Sequence, residues 1–196
     1  MKKVSAFTLA FLLFAGAIQS QITYGVKLGA NLSTIAGEDY DHSDKKSKLG
    51  LQFGGLVNIP VQEKFSVQPE LLFSQEGAMW KDSDYSEKEP HTFLNVPVLA
   101  QYNDPSGFFA HTGPQIGFLL AAKEKYKDDE ESETRDIKEE FKSTAFSWVV
   151  GAGYLHSSNI GVGARYNLGL SNIGDGWEST AKHRGFNIYV FYILGK

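Results

Sequence analysis

Three charged side chains, Lys27, Glu70 and Arg165, stand in stretches of the chain that are otherwise almost free of charge. Each is flanked by apolar residues: Val26 and Leu28, Pro69 and Leu71, Ala164 and Tyr166. Two cations and one anion shielded from water must pair, because an isolated buried charge is costly. With Asn31, Gln68, Gln115 and Asn167 as hydrogen-bonding partners, the set predicts an internal ion network. Such a network can pack an interior or conduct protons, and packing is the preferred reading.

Other candidate chemistry is thin. His156-Ser157-Ser158 joins an imidazole to hydroxyls, two elements of an esterase or deacylase, but no spacing supplies the convergent third group. His111 is expected in the interior, and His42, His91 and His183 in or beside outer connections, with no spacing resembling a metal site. Gly151-Ala152-Gly153 and Gly161-Val162-Gly163 imitate phosphate-binding loops, yet they open no helix and read better as space inside a narrow barrel. No catalytic residue, cofactor or metal is expected. A net charge of -4 suggests no nucleic-acid partner, and the absence of cysteine removes both disulfides and a lipidated N-terminal Cys.

The elements that must position these residues are strands. Ile22, Tyr24, Val26, Leu28, Ala30 and Leu32 alternate with Thr23, Gly25, Lys27, Gly29 and Asn31, and period two is the signature of β-structure. The pattern recurs over 22–32, 49–59, 65–76, 94–102, 108–120, 145–156, 160–171 and 185–194. Odd connections are the longer ones and even connections short, with turn residues at Pro60, at Asn103 to Gly107 and at Ser157 to Asn159. That predicts an all-β, eight-stranded, antiparallel, up-and-down transmembrane β-barrel with long outer loops and both termini in the periplasm.

Two aromatic rows are expected on the apolar face near strand ends, where amphipathic rings favour the headgroup level. Tyr24, Phe65, Tyr102, Phe108, Tyr154 and Tyr192 form the periplasmic row, and Phe73, Phe118, Phe146, Trp148 and Phe186 the outer one. Of 19 basic and 23 acidic residues only Lys27, Glu70, Glu76 and Arg165 fall inside the expected spans, so the polar face, rich in Gly, Ser, Asn and Gln, suits a closed lumen better than bulk water. A plugged lumen argues against a general porin. The alternative architecture is a soluble periplasmic, lipocalin-like ligand-binding barrel with its apolar face inward. Pro69, Pro97 and Pro114 cannot donate to a ladder and are expected to mark bulges or local breaks.

Lys2 and Lys3, the apolar run Val4 to Ile18, and Gln19-Ser20-Gln21 read as a secretory signal peptide over 1–20, leaving a barrel domain over 21–196. Residues 123–142 hold nine acidic and six basic side chains and read as a solvated loop, with a sharper possibility of divalent-cation or lipopolysaccharide contact at Asp128 to Glu131.

Several stretches carry a family resemblance: Gly25 to Leu32, Val67 to Gly77, Leu94-Asn95-Val96-Pro97-Val98, Gly113-Pro114-Gln115-Ile116-Gly117, Gly151-Ala152-Gly153-Tyr154 and Arg165 to Ile173. In these the chain resembles the PorT-like outer-membrane β-barrel family of Bacteroidota-type envelopes. The resemblance implies an integral protein of the cell outer membrane, without known catalytic residues, in contact with outer-membrane lipid, lipopolysaccharide and the barrel-insertion machinery. It also implies a link to envelope or secretion proteins, type IX secretion in particular, as the alternative to a structural or interaction scaffold. Relatives often end on an aromatic residue, whereas this chain ends Tyr192-Ile193-Leu194-Gly195-Lys196.

Overall fold

A computed structural model describes residues 22–37, 45–81, 86–127, 132–175 and 180–195. The leader expected over 1–20 lies outside them, as do His42 and the acidic run 128–131. The alternation of the sequence becomes nine strands: β1 (Thr23–Gly37), β2 (Lys45–Gln62), β3 (Phe65–Lys81), β4 (Ser86–Asn103), β5 (Phe108–Lys127), β6 (Ser132–Asp136), β7 (Thr144–Leu155), β8 (Ile160–Gly169) and β9 (Ala181–Gly195). Each pairs antiparallel with its sequence neighbours, except that β5 pairs with both β6 and β7, and β1 closes on β9 from Tyr24↔Gly195 to Gly37↔Ala181. The result is a closed ring of eight strands with β6 as a short addition to the outer end of β5.

The short-turn ends fall close to where the turn residues place them. Gly107, at φ 98, and Asn159, at φ 66, occupy the left-handed positions that tight reversals need. The outer ends differ from expectation: β1 runs to Gly37, β4 starts at Ser86 and β5 continues to Lys127. Beyond the apolar band the outer face turns polar and the inner face mixes apolar with polar residues, so the hydropathy contrast fades while backbone pairing continues. Residues 132–136 and 138–140, expected within a solvated loop, form β6 and a 3-10 turn.

Faces follow parity. Leu28 is 57% exposed and Ile188 57%, whereas Lys27 is 3% exposed and Asn187 2%. Side chains of one parity thus form an apolar outer band, and those of the other fill the lumen. Four register shifts interrupt this, at Tyr24/Gly25, Ser47/Gln52, Pro60/Gln62 and Thr92/Phe93.

None of these bulges falls at Pro69, Pro97 or Pro114; of the two expectations, bulges or local breaks, the ladder shows the breaks. Pairing between β3 and β4 lapses between Pro69↔Val98 and Leu72↔Asn95, and between β4 and β5 from Pro97↔Gln115 to Ala100↔Thr112, yet the register resumes unchanged. Proline lacks a donor but keeps an extended backbone, so it omits ladder bonds without adding a residue.

Glycines make room inside the ring. A Cβ at Gly163 would meet Tyr189 Cζ at 2.5 Å, one at Gly161 would fall on the Phe191 ring, and one at Gly153 on Phe109. By contrast, a Cβ at Gly185 meets nothing nearer than 3.5 Å. Replacing Gly163 by Val is expected to destabilise the barrel by about 1–3 kcal/mol through overpacking, and Gly185→Ala to change it little. Denaturant unfolding of the two variants in one detergent checks this, and equal stability of both would contradict it.

Candidate functional site

The lumen is built in layers, each set by which inward positions the register brings level. At its middle, Lys27 of β1, Glu70 of β3 and Arg165 of β8 meet. Lys27 Nζ lies 2.5 Å from Glu70 Oε1 and Arg165 Nη1 2.9 Å from Glu70 Oε2. Gln68 Nε2 also donates to Glu70 Oε1 at 2.8 Å, and Arg165 Nη2 donates to Gln52 Oε1 at 2.9 Å. One carboxylate therefore faces two cations. The second positive charge is offset by the face of Tyr189, whose ring centre lies 4.2 Å from Lys27 Nζ.

Below this layer, towards the short turns, one wall is polar and the other apolar. Asn58 Nδ2 donates to Ser66 Oγ at 2.9 Å and to Gln68 Oε1 at 3.1 Å, and Asn103 Nδ2 donates to Ser66 Oγ at 3.0 Å. Facing them, Leu56, Phe109, Tyr189, Phe191 and Ile193 pack as a cluster. A cavity of about 140 Å³ remains between the two walls.

Above the ion layer lies a smaller polar chamber of about 30 Å³. Gln115 and Asn167 line this chamber and do not join the ion cluster. Asn31 Nδ2 donates to Ser74 Oγ at 3.0 Å, and Asn95 Nδ2 to Glu76 Oε1 at 2.8 Å. The carbonyl oxygens of Asn31, Gln115, Asn167 and Asn187 are buried here with no protein partner, an arrangement that suits bound water.

The outer mouth is stopped by an apolar cap absent from the sequence-based reading. Ile137 and Phe141, on either side of the 3-10 turn, and Ile173, in the connection after β8, pack with Ile35, Ala78, Phe93, Leu119, Ala122 and Ala181. Backbone bonds seat these segments: Ile137 N donates to Ala122 O at 3.1 Å, Lys142 N to Ile173 O at 2.8 Å and Ile173 N to Ala181 O at 2.8 Å. Phe141 also forms an isolated bridge with Gly174. Beneath Phe141 sit two imidazoles. The His91 ring is 4.5 Å from Phe141, and His91 Nδ1 lies 3.1 Å from His183 Nε2. The available signal was a pair of apolar residues stranded in a run of charge.

Remaining candidates separate. His111 is buried in the lumen, with neither ring nitrogen hydrogen-bonded to protein. His156 Nδ1 and Ser158 Oγ are 2.9 Å apart but exposed at the short turn between β7 and β8. Among the described residues no group of three His, Asp or Glu side chains is placed to hold a metal. On the outer face, Phe65 and Tyr102 pack at 5.4 Å, Phe108 and Tyr154 at 5.0 Å, and Phe53 and Phe73 at 5.1 Å. Tyr24, Phe118, Phe146, Phe186 and Tyr192 are exposed. Trp148 Nε1 donates to Thr112 Oγ1 at 2.8 Å, and Thr112 in turn to Val149 O at 2.9 Å, which satisfies both polar groups on an apolar wall.

Comparison with known proteins points one way. Residues 17–175 match the family model described as outer membrane protein beta-barrel domain. The attachment invasion locus protein Ail of Yersinia pestis aligns with a TM-score of 0.50 at 14% identity, covering 89% of this chain and 100% of that one. The same protein in complex with the heparin analogue sucrose octasulfate gives a TM-score of 0.52 at 14% identity, covering 89% and 100%. Neisserial surface protein A aligns at 0.48 with 10% identity, covering 88% and 99%. No curated protein sequence matches the chain.

Two outcomes follow from the layers. Glu70→Ala leaves Lys27 and Arg165 buried without their shared carboxylate and is expected to cost about 3–5 kcal/mol, more than replacing all three together by apolar residues of similar volume. Denaturant unfolding of the single and triple variants tests this, and a triple variant weaker than the single one would refute it. The second concerns His91 and His183, which lie beyond the outer aromatic row. Burial holds His91 well below the usual imidazole range, with His183 and then Lys48 acting in the same direction; burial lowers His183 as well, against the pull of Glu76. Both rings bind protons more readily once the cap opens, so its stability is complete above about pH 6.5 and declines as pH falls below that value. Hydrogen exchange of the Ile137 and Lys142 amides, corrected for intrinsic rates, should accelerate on acidification, and His91→Gln with His183→Gln should remove the pH dependence.

Proposed function

The chain belongs to the family of outer membrane protein β-barrel domains, and on that premise we propose that it is an integral barrel of the cell outer membrane that works as a scaffold or contact surface and not as a pore or an enzyme. The observation that carries this reading is the filled lumen, with an apolar cap over a polar chamber, an ion cluster and an apolar periplasmic cluster. Among the described residues each layer sets side chains across the lumen, and the ion cluster has the bonding of a packed interior. The two aromatic rows then mark the headgroup levels of the bilayer, with Tyr24, Phe65, Tyr102, Phe108, Tyr154 and Tyr192 on one side and Phe73, Phe118, Phe146, Trp148 and Phe186 on the other. Residues 1–20 serve as the cleaved leader.

Fractionated cells should place the protein in the outer membrane, with Gln21 as its first residue and faster gel migration in unboiled than in boiled samples. Reconstituted in a planar bilayer, it should give no steady conductance. Recovery as a soluble periplasmic protein, or a stable ion-conducting channel, would defeat the proposal. Cross-linking in whole cells addresses the narrower role in type IX secretion, since a component of that machinery should capture its other subunits.

A further inference from the structure

The cavity of about 140 Å³ below the ion cluster is held open by the residues that border it. On its apolar side Phe109 and Phe191 pack edge to face, ring centres 5.7 Å apart, and each stands opposite a glycine of the neighbouring strand, Gly153 and Gly161. A Cβ at Gly161 would come within 2.1 Å of Phe191 Cζ, and one at Gly153 within 2.4 Å of Phe109 Cζ. Bare backbone therefore lets both rings lie back against the wall. With side chains at 153 and 161 the rings would be pushed into the space they now border.

The polar side is ordered from Glu70 outward. A carboxylate only accepts, so Gln68 gives it Nε2 and turns Oε1 to Asn58, whose Nδ2 also reaches Ser66 Oγ. Asn103 Nδ2 donates to the same hydroxyl oxygen, and Gln101 Nε2 donates to Asn103 Oδ1 at 2.7 Å. The run ends on Gln101, a side chain 7% exposed that lines the cavity and whose Oε1 is buried without a partner. An unmet buried acceptor is unfavourable, and a donor brought into the cavity relieves it.

Thr23, Asp104 and Asn159, half-buried at the start of β1 and in two short turns, line the far end of the cavity, so entry is from that end and the ion cluster closes the other. The lining is selective. A cavity of about 150 Å³ takes up one benzene, so this one has room for a single six-membered ring. A cation would lie beneath a layer with two positive charges to one negative, and an anion would set its charge against Phe109, Phe191 and Ile193. A sugar would turn several hydroxyls to that same apolar side, with nothing there to receive them. A neutral ring with one donor at its edge meets each of these limits.

We infer that this cavity is a binding site for a phenol, uncharged at neutral pH, with its ring against Phe109 and Phe191 and its hydroxyl donating to Gln101 Oε1. The site goes beyond the scaffold reading, and it requires the closed ring of strands but not the membrane around it. Water is poorly bonded against an apolar wall, so its displacement by the ring favours binding.

The protein is folded in phosphocholine micelles with carbon-13 methyls on isoleucine and leucine, and titrated with phenol. Ile193 and Leu155 border the cavity, whereas Ile188 and Leu28 are exposed on the outer wall and report compounds that merely dissolve in detergent. Phenol should shift Ile193 and Leu155 saturably, with half-saturation on the order of 1 mM, and benzoate and glucose should leave both unmoved. Gln101→Leu should weaken phenol by roughly two- to tenfold and leave toluene, which has no donor, unchanged. The side-chain amide signal of Gln101 gives a reading without any substitution, since phenol should move it and toluene should not. Loss of saturation at Ile193 and Leu155, tighter binding of glucose or benzoate, or a Gln101 signal indifferent to the hydroxyl would overturn the inference.

Discussion

Closure of the sheet is the constraint on which the rest of this molecule depends. In hydrocarbon each backbone N–H and C=O must find a partner within the protein, and a sheet achieves that only by joining its edges. The joint here is β1 on β9, paired along nearly the whole of both strands. Eight strands close around an interior only as wide as side chains. Bulk inside must therefore be matched by its absence, as Gly161 and Gly163 yield to Phe191 and Tyr189.

The same narrowness gives the ion cluster its form. Lys27, Gln52, Glu70 and Arg165 come from β1, β2, β3 and β8, so a few bonds tie half of the ring across its own interior. Desolvating three charges is unfavourable, and the contacts around Glu70 are dense enough to offset it: two cations and an amide on one carboxylate. Apolar packing is pushed towards the two ends, where the lumen would otherwise open to water. The cap and the apolar cluster at the short-turn end are thus the stoppers of a polar middle.

Period two made the strands and their faces readable in advance. It set Lys27, Glu70 and Arg165 on inward positions, and the register brings their charged atoms together. It could not rank depth: Gln115 and Asn167 share that parity yet lie one layer further out. The outer third of the barrel was hidden for a different reason. Where both faces of a strand are polar the alternation carries no contrast, so it places the start of β4 at 94, whereas the strand begins at Ser86. Ile137 and Phe141 find their partners through Ala122 and Ile173, contacts distant in sequence that no local pattern encodes.

The shift between Thr92 and Phe93 has a wider effect than its size suggests. Across it, Phe93 faces Leu119 and Thr92 faces Ala121, so Leu120 is an extra residue on β5. Up to Leu119 the odd positions of β5 point inward, and beyond it Ala122 and the even positions do. Without Leu120 the remainder of β5 would turn over, sending Lys123 and Lys125 into the mouth and Glu124 to the outside wall. One inserted residue thus acts as a phase inverter, letting a single strand obey one hydropathy code within the bilayer and the opposite charge code above it. In a chain of this kind, an insertion or deletion of one residue near the outer rim is an electrostatic mutation as much as a structural one.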